Sequence, residues 1–268
     1  MQKKLNILTG TYMLFILFLH LSVAFRGILS DVIYYLGFVI PFGVCVFMTR
    51  GEGVEWKKPV RISSDGAKLF APLVFPTVFC VMSLSTLTSF LLLTLTGKTN
   101  AVDLGDSYLL ALIQHALIPA ILEEVLFRYL PMRLIAPHSP RYAIIFSAIF
   151  FALVHQSLFS IPYAIFAGVL FMAINLATDS IIPSIVIHFI NNTLSVSLLF
   201  ISAEIGKYIF CIVVLILAVI SLVILIKRRK EYERPLSLIT DKGEGAKITM
   251  EMILFAAFTL AVAVLNLL

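Results

Sequence analysis

Ile121-Leu122-Glu123-Glu124-Val125-Leu126-Phe127-Arg128 sets two carboxylates and a guanidinium inside an apolar run that extends over roughly 108–131. A charge near the middle of a membrane helix costs about 2.5–3.5 kcal/mol on insertion scales, so three within six positions persist only where they face a protein interior or water. Working outward, the chain has the composition of such an assembly. Hydrophobic residues fill 60% of its 268 positions and charged residues 13%, and the mean hydropathy is +1.04, outside the range of a soluble domain. Runs long enough to cross a bilayer, about 20 residues each, fall near 6–25, 32–49, 69–96, 108–131, 142–159, 161–178, 181–202, 206–226 and 250–267. The fold class predicted is all-α, a polytopic transmembrane bundle of eight or nine helices. The short alternating strands that a closed barrel requires are missing.

The basic residues sort by loop, which is the signal that orients membrane proteins. Lys3 and Lys4 precede the first helix; Arg50, Lys57, Lys58, Arg61 and Lys68 follow the second; Arg133 and Arg141 follow the fourth; Lys227, Arg228, Arg229, Lys230, Arg234, Lys242 and Lys247 follow the eighth. The alternate loops hold Arg26, Lys98 and Lys207. The expectation is a multi-pass protein of the cell membrane with a cytoplasmic N-terminus and, with nine helices, a C-terminus outside. The net charge of +5 is then topological, the lipid bilayer and its anionic headgroups are the partners of these residues, and nucleic acid is not. Trp56 with Lys57 and Lys58 reads as an interfacial anchor. The first helix has a basic start like that of a signal peptide, but Ser22-Val23-Ala24-Phe25-Arg26 is a poor cleavage site, so it is expected to be retained. Cys45, Cys80 and Cys211 lie singly in apolar runs and read as packing residues.

Residues 1–268 form one integral-membrane domain, with the core helices at 105–205; the polar stretches 51–68 and 227–247 read as cytoplasmic loops. Pro76, Pro119, Pro162 and Pro183 are candidates to kink helices, but they do not recur in matching positions of two halves. The inverted repeats of a solute transporter are therefore not evident.

Within the core, Glu124 and Arg128 are four apart on one helix face and suit an ion pair. Glu123 is turned about 100° away. It has no partner on its own helix, which leaves it to accept a proton from water. An alternative, that all three residues only staple helices together, needs one acid rather than two. Further on, Phe151 and His155 share a face, as do His188 and Asn192. The inventory across three helices is a carboxylate, two imidazoles and an amide, the groups that activate water and hold an oxyanion.

In motif and order this resembles the CaaX-protease and bacteriocin-processing family of intramembrane proteases, also called Abi: Glu-Glu-x-x-x-Arg at Glu123, Glu124 and Arg128, Phe-x-x-x-His at Phe151 and His155, and His-x-x-x-Asn at His188 and Asn192. The likeness spans roughly 105–205. It implies a peptide hydrolase in which Glu123, helped by His155, activates water, His188 and Asn192 stabilise the oxyanion, and Glu124 and Arg128 support them. It implies as substrate a peptide or a membrane-anchored protein, and leaves the oligomeric state unspecified. A noncatalytic immunity or scaffold protein is the rival within the family. Cofactors are either none or zinc; His155, His188 and Glu123 are the candidate metal ligands, although the sequence lacks His-Glu-x-x-His. Counting along the helices puts Glu123 about 12 Å from the cytoplasmic end of its span and His188 at a similar depth, which favours a site opening toward the cytoplasm. His155 falls nearer 20 Å if its helix starts at Tyr142. His115 is read as a helix-packing residue, His20 and His138 have weaker claims on the site, Asn191 is expected to bond between helices, and Asn175 and Asp179 to close the sixth helix.

Overall fold

The computed structural model describes residues 1–56, 61–98, 104–240 and 247–267. Lys57, Lys58 and Lys242, counted above among the basic residues, lie outside the described residues. Among the described residues ten helices follow one another: α1 (Gln2–Val23), α2 (Ile28–Met48), α3 (Ser64–Thr96), α4 (Tyr108–Leu134), α5 (Pro140–Val154), α6 (Ile161–Thr178), α7 (Ile182–Phe200), α8 (Glu204–Lys227), α9 (Glu233–Thr240) and α10 (Met250–Leu265). There is no strand among the described residues. Seven of these helices, α1 to α4 and α6 to α8, are long and apolar enough to cross a membrane. The other two apolar helices are shorter, with 15 residues in α5 and 16 in α10.

Most helices start a few residues before the expected runs, and three further differences have a structural cause or consequence. The fifth run stops at Val154 rather than reaching 159, so His155 caps a helix instead of lying deep within one. The fourth continues to Leu134. Part of 227–247, read as loop, is the short helix α9, because Leu238 and Ile239 pack onto the main core. Pro162 and Pro183 sit in the first turns of α6 and α7, where the missing N–H costs nothing, so they start helices rather than kink them.

The alternating helices give the bundle two faces. One carries the N-terminus, residues 49–56 and the α4–α5 and α6–α7 turns; Lys3 pairs there with Glu52, and the Tyr129 hydroxyl donates to the Trp56 carbonyl at 3.0 Å. The opposite face carries the α1–α2 turn and the end of α10, with Lys98 Nζ donating to the Leu267 carbonyl at 2.7 Å. Of the two, the first is the face of the basic loops. Around the girth Leu17, Phe47, Leu95 and Ile226 are exposed, an apolar surface of the kind that contacts lipid.

Inside, Tyr12 of α1 is fully buried against Phe127 of α4 and Phe146 and Phe150 of α5, with ring centroids 4.8, 6.0 and 5.4 Å away. A close helix contact is the one between α5 and α6. A Cβ added at Gly168 would lie 2.6 Å from Ala148 Cα, so a small residue is what lets these backbones approach. Gly43 meets nothing within 4 Å and serves as a control. Gly168→Ala is expected to lower stability by about 1–3 kcal/mol through overpacking, read as a fall in the thermal midpoint of the detergent-solubilised protein, while Gly43→Ala leaves the midpoint unchanged or raises it.

Candidate active site

The site starts with two breaks in α4. Residues Leu112–Leu117 and Val125–Tyr129 are wound as π-helix, and each stretch lies just before a proline, Pro119 or Pro131. Proline has no N–H to give and its ring crowds the carbonyl four residues earlier, so the coil widens there. At Pro131 this leaves the carbonyls of Leu126 and Phe127 without helical donors. Other helices supply them: the Tyr12 hydroxyl donates to Leu126 O at 3.2 Å and the Ser147 hydroxyl to Phe127 O at 2.6 Å. These bonds tie α1 and α5 to α4 at the level of the acidic residues.

Glu124 and Arg128 are both fully buried. Arg128 Nη1 lies 3.2 Å from Glu124 Oε1, and the guanidinium carbon sits 3.7 Å from the centre of the Phe151 ring. The same Glu124 oxygen accepts a hydrogen bond from His188 Nδ1 at 2.8 Å. With Nδ1 committed, His188 Nε2 points toward Glu123 and lies 3.8 Å from its Oε2. His155 follows the same rule. Its Nδ1 donates to the Phe151 carbonyl at 2.7 Å, because a carbonyl only accepts, and this leaves Nε2 of a neutral ring without a proton.

Phe151 therefore links the whole group. Its ring supports Arg128 and meets His155 and His188 edge-on, at centroid distances of 4.7 and 6.1 Å. The chain leaves α5 right after His155 because Gln156 adopts a left-handed conformation (φ 48). That conformation is costly for a residue with a side chain and is held from two other helices: the Gln156 side chain bonds His20 Nε2 at 2.9 Å, and Asn266 donates to its carbonyl at 3.0 Å. His188 gets its depth from the α6–α7 turn, where Asp179 is left-handed and Asn175 bonds Ser184 twice, at 2.7 and 3.2 Å.

Glu123, His155, His188 and Asn192 line one cleft of about 450 Å³ together with Asp31, Tyr34, Tyr35, Gln114, His115 and Pro119. Glu124 and Arg128 lie behind its wall. Of the residues set aside on sequence, His115 lines the cleft rather than only packing, and His20 positions the turn after His155. Asn191 donates to Ile187 O on its own helix at 3.2 Å, not to another helix. His138 belongs to a separate cavity of about 530 Å³ at the basic face. Sequence reasoning missed Asp31, Tyr34 and Tyr35; the signal available was that Asp31 is the one acid within the 32–49 run and its immediate approach. Among the described residues, no group of three His, Cys, Asp or Glu converges enough to hold a metal ion, so the donor set Glu123, His155 and His188 does not fit a cation as placed.

Residues 105–194 match the family model of the type II CAAX prenyl endopeptidase, Rce1-like. The matched segment contains the parts of α4, α5 and α7 that line the cleft and leaves out α2, which supplies Asp31, Tyr34 and Tyr35. This agrees with the resemblance read from the motifs. Neither the curated proteins nor the solved structures compared with the chain gave a match. The matched segment holds all seven motif residues, while α1, α2 and the C-cap of α10 outside it supply Tyr12, the second wall of the cleft and the Asn266 bond.

A ring face under a desolvated cation is worth about 2 kcal/mol. Phe151→Leu, which keeps the bulk and loses the ring, is expected to cost near that amount, and Phe151→Ala about 3–5 kcal/mol, both measured by denaturant unfolding in detergent. Equal stability of Phe151→Leu and wild type would show that the ring does not support Arg128.

Proposed function

We propose that this protein is an intramembrane endopeptidase that hydrolyses a peptide bond with water activated by Glu123. The observation that carries the reading is that a carboxylate, two imidazoles and an amide, from three helices, line one cleft, with Nδ1 of each imidazole bonded elsewhere. Glu123 takes a proton from water as the oxygen attacks the peptide carbonyl, and that proton passes to the departing amide nitrogen. His155, its Nδ1 occupied by Phe151 O, presents Nε2 as a second acceptor that orients the water. Asn192 donates to the oxyanion through its amide. His188 donates there through Nε2 when its ring carries both protons, with Glu124 facing the resulting charge and Arg128 balancing Glu124. Each such donor is worth about 10²–10³ in rate.

The side chains do not assemble a three-donor metal set, and no step above passes through a cation. The substrate class is a peptide or a membrane-anchored protein, and the enzyme resides in the cell membrane as a multi-pass protein with its N-terminus in the cytoplasm. The sorting of Lys and Arg between loops supports that orientation.

Glu123→Gln keeps the shape of the side chain and removes the base. Peptides found in membranes of wild-type cells and missing from Glu123→Gln cells identify the products; identical peptide populations, with both proteins folded and present at equal level, would refute the reading. With such a product as assay, Asn192→Ala is expected to lower kcat about 10²–10³-fold. Treatment with a chelator is expected to leave the rate unchanged; a loss restored by zinc alone would replace the glutamate–water mechanism with a metal-assisted one.

A further inference from the structure

We infer that the cleft is served from the non-cytoplasmic side of the membrane, so that its substrate is the juxtamembrane segment of a membrane-anchored protein exposed on that side. The word substrate rests on the hydrolase reading; the direction of access does not. Counting residues along the helices favours a cytoplasmic opening, but the packing points the other way.

The mouth residues all come from helix starts on one face. Asp31, Tyr34 and Tyr35 lie in the first two turns of α2, beside the α1–α2 turn, and Gln114 and His115 lie in the first two turns of α4. Asp31 is 17 residues from the end of α2 at Met48, about 25 Å along the axis at 1.5 Å per residue. Asp31 and Gln114 are exposed. A polar lining of this kind at membrane depth requires water or protein beside it.

Toward the basic face the cleft has a floor. Arg128, Glu124, Phe127, Leu130 and Leu134 are each fully buried, and they fill α4 from the site to its end. A peptide entering from that face would have to displace this packing and leave its own backbone groups unpaired on the way. The separate cavity at the basic face touches none of the motif residues. Of the 17 Lys and Arg residues among the described ones, 13 lie at or near helix ends on the floor side, the distribution that marks a cytoplasmic face. The floor is then cytoplasmic and the mouth is outside. A prenylated C-terminus displayed in the cytoplasm has no route to Glu123 in this arrangement.

Single cysteines test this in full-length protein whose Cys45, Cys80 and Cys211 are replaced by Ala. Lys98→Cys and Arg50→Cys report the two faces from exposed positions, while Tyr35→Cys and Asn192→Cys report the mouth and the depth of the cleft. A membrane-impermeant maleimide added to intact cells is expected to modify Lys98→Cys, Tyr35→Cys and Asn192→Cys, and to modify Arg50→Cys only after permeabilisation. Modification of Arg50→Cys in intact cells would overturn the inference, as would labelling of Asn192→Cys from inside-out vesicles but not from intact cells. Glu123-dependent peptides are then mapped to the side of the membrane they come from. Peptides from cytoplasmic segments would sink the inference and keep the hydrolase; outside labelling with no Glu123-dependent peptide would sink the hydrolase and keep the access route.

Discussion

One Glu124 oxygen serves two partners, the Arg128 guanidinium at 3.2 Å and His188 Nδ1 at 2.8 Å, in a place fully closed to solvent. Taking such charges from water is expensive, and removing one partner of a buried pair typically costs about 3–5 kcal/mol because the other is left uncompensated. The group is therefore tolerated only as a unit, with α4 and α7 joined through Glu124 and α5 closing it through the Phe151 ring. The helix contact that stabilises the core is the same contact that orients a cleft imidazole. Glu123, one position away and turned from this unit, is the carboxylate with one side in the cleft.

The backbone breaks of α4 fit this arrangement. Two π segments flank Glu123 and Glu124, each forced by a proline, and the carbonyls exposed by Pro131 draw hydroxyls from α1 and α5. In lipid an unpaired carbonyl costs several kcal/mol, so the proline does more than interrupt a helix: it obliges two neighbours to dock at a set height. Tyr12 and Ser147 meet that demand, and the aromatic cluster around Tyr12 fills the space between them.

The sequence was most legible where burial makes a residue costly. Charges in an apolar run have few reasons to be there, so Glu123, Glu124 and Arg128 were informative alone, and His155, His188 and Asn192 became so in order behind them. Apolar runs marked the hydrophobic helices, seven long and two shorter among the described residues. What did not show was anything set by distant partners. No glycine or proline follows Val154 directly; α5 stops because His20 and Asn266, from the two ends of the chain, hold Gln156 in a left-handed turn. Asp31, Tyr34 and Tyr35 are partly or fully exposed on a helix without a motif, and only the third dimension brings them opposite His155. Depth counted in residues does not by itself fix access, for a related reason. It measures distance to a helix end, whereas access depends on which end is packed shut.

Both histidines use their nitrogens in the same way, and this ties the scaffold to the chemistry. Nδ1 of His155 is given to a backbone carbonyl and Nδ1 of His188 to a carboxylate, so each ring is held in place and its Nε2 is left free of that bond. The difference between the two partners divides the roles. A carbonyl carries no net charge, so His155 sits as a neutral ring with a lone pair free to accept. A carboxylate does, so His188 faces the charge of Glu124 through Nδ1. In the proposed hydrolysis this difference gives His155 the water and His188 the oxyanion, while Arg128, 3.2 Å from Glu124, balances the charge of that carboxylate.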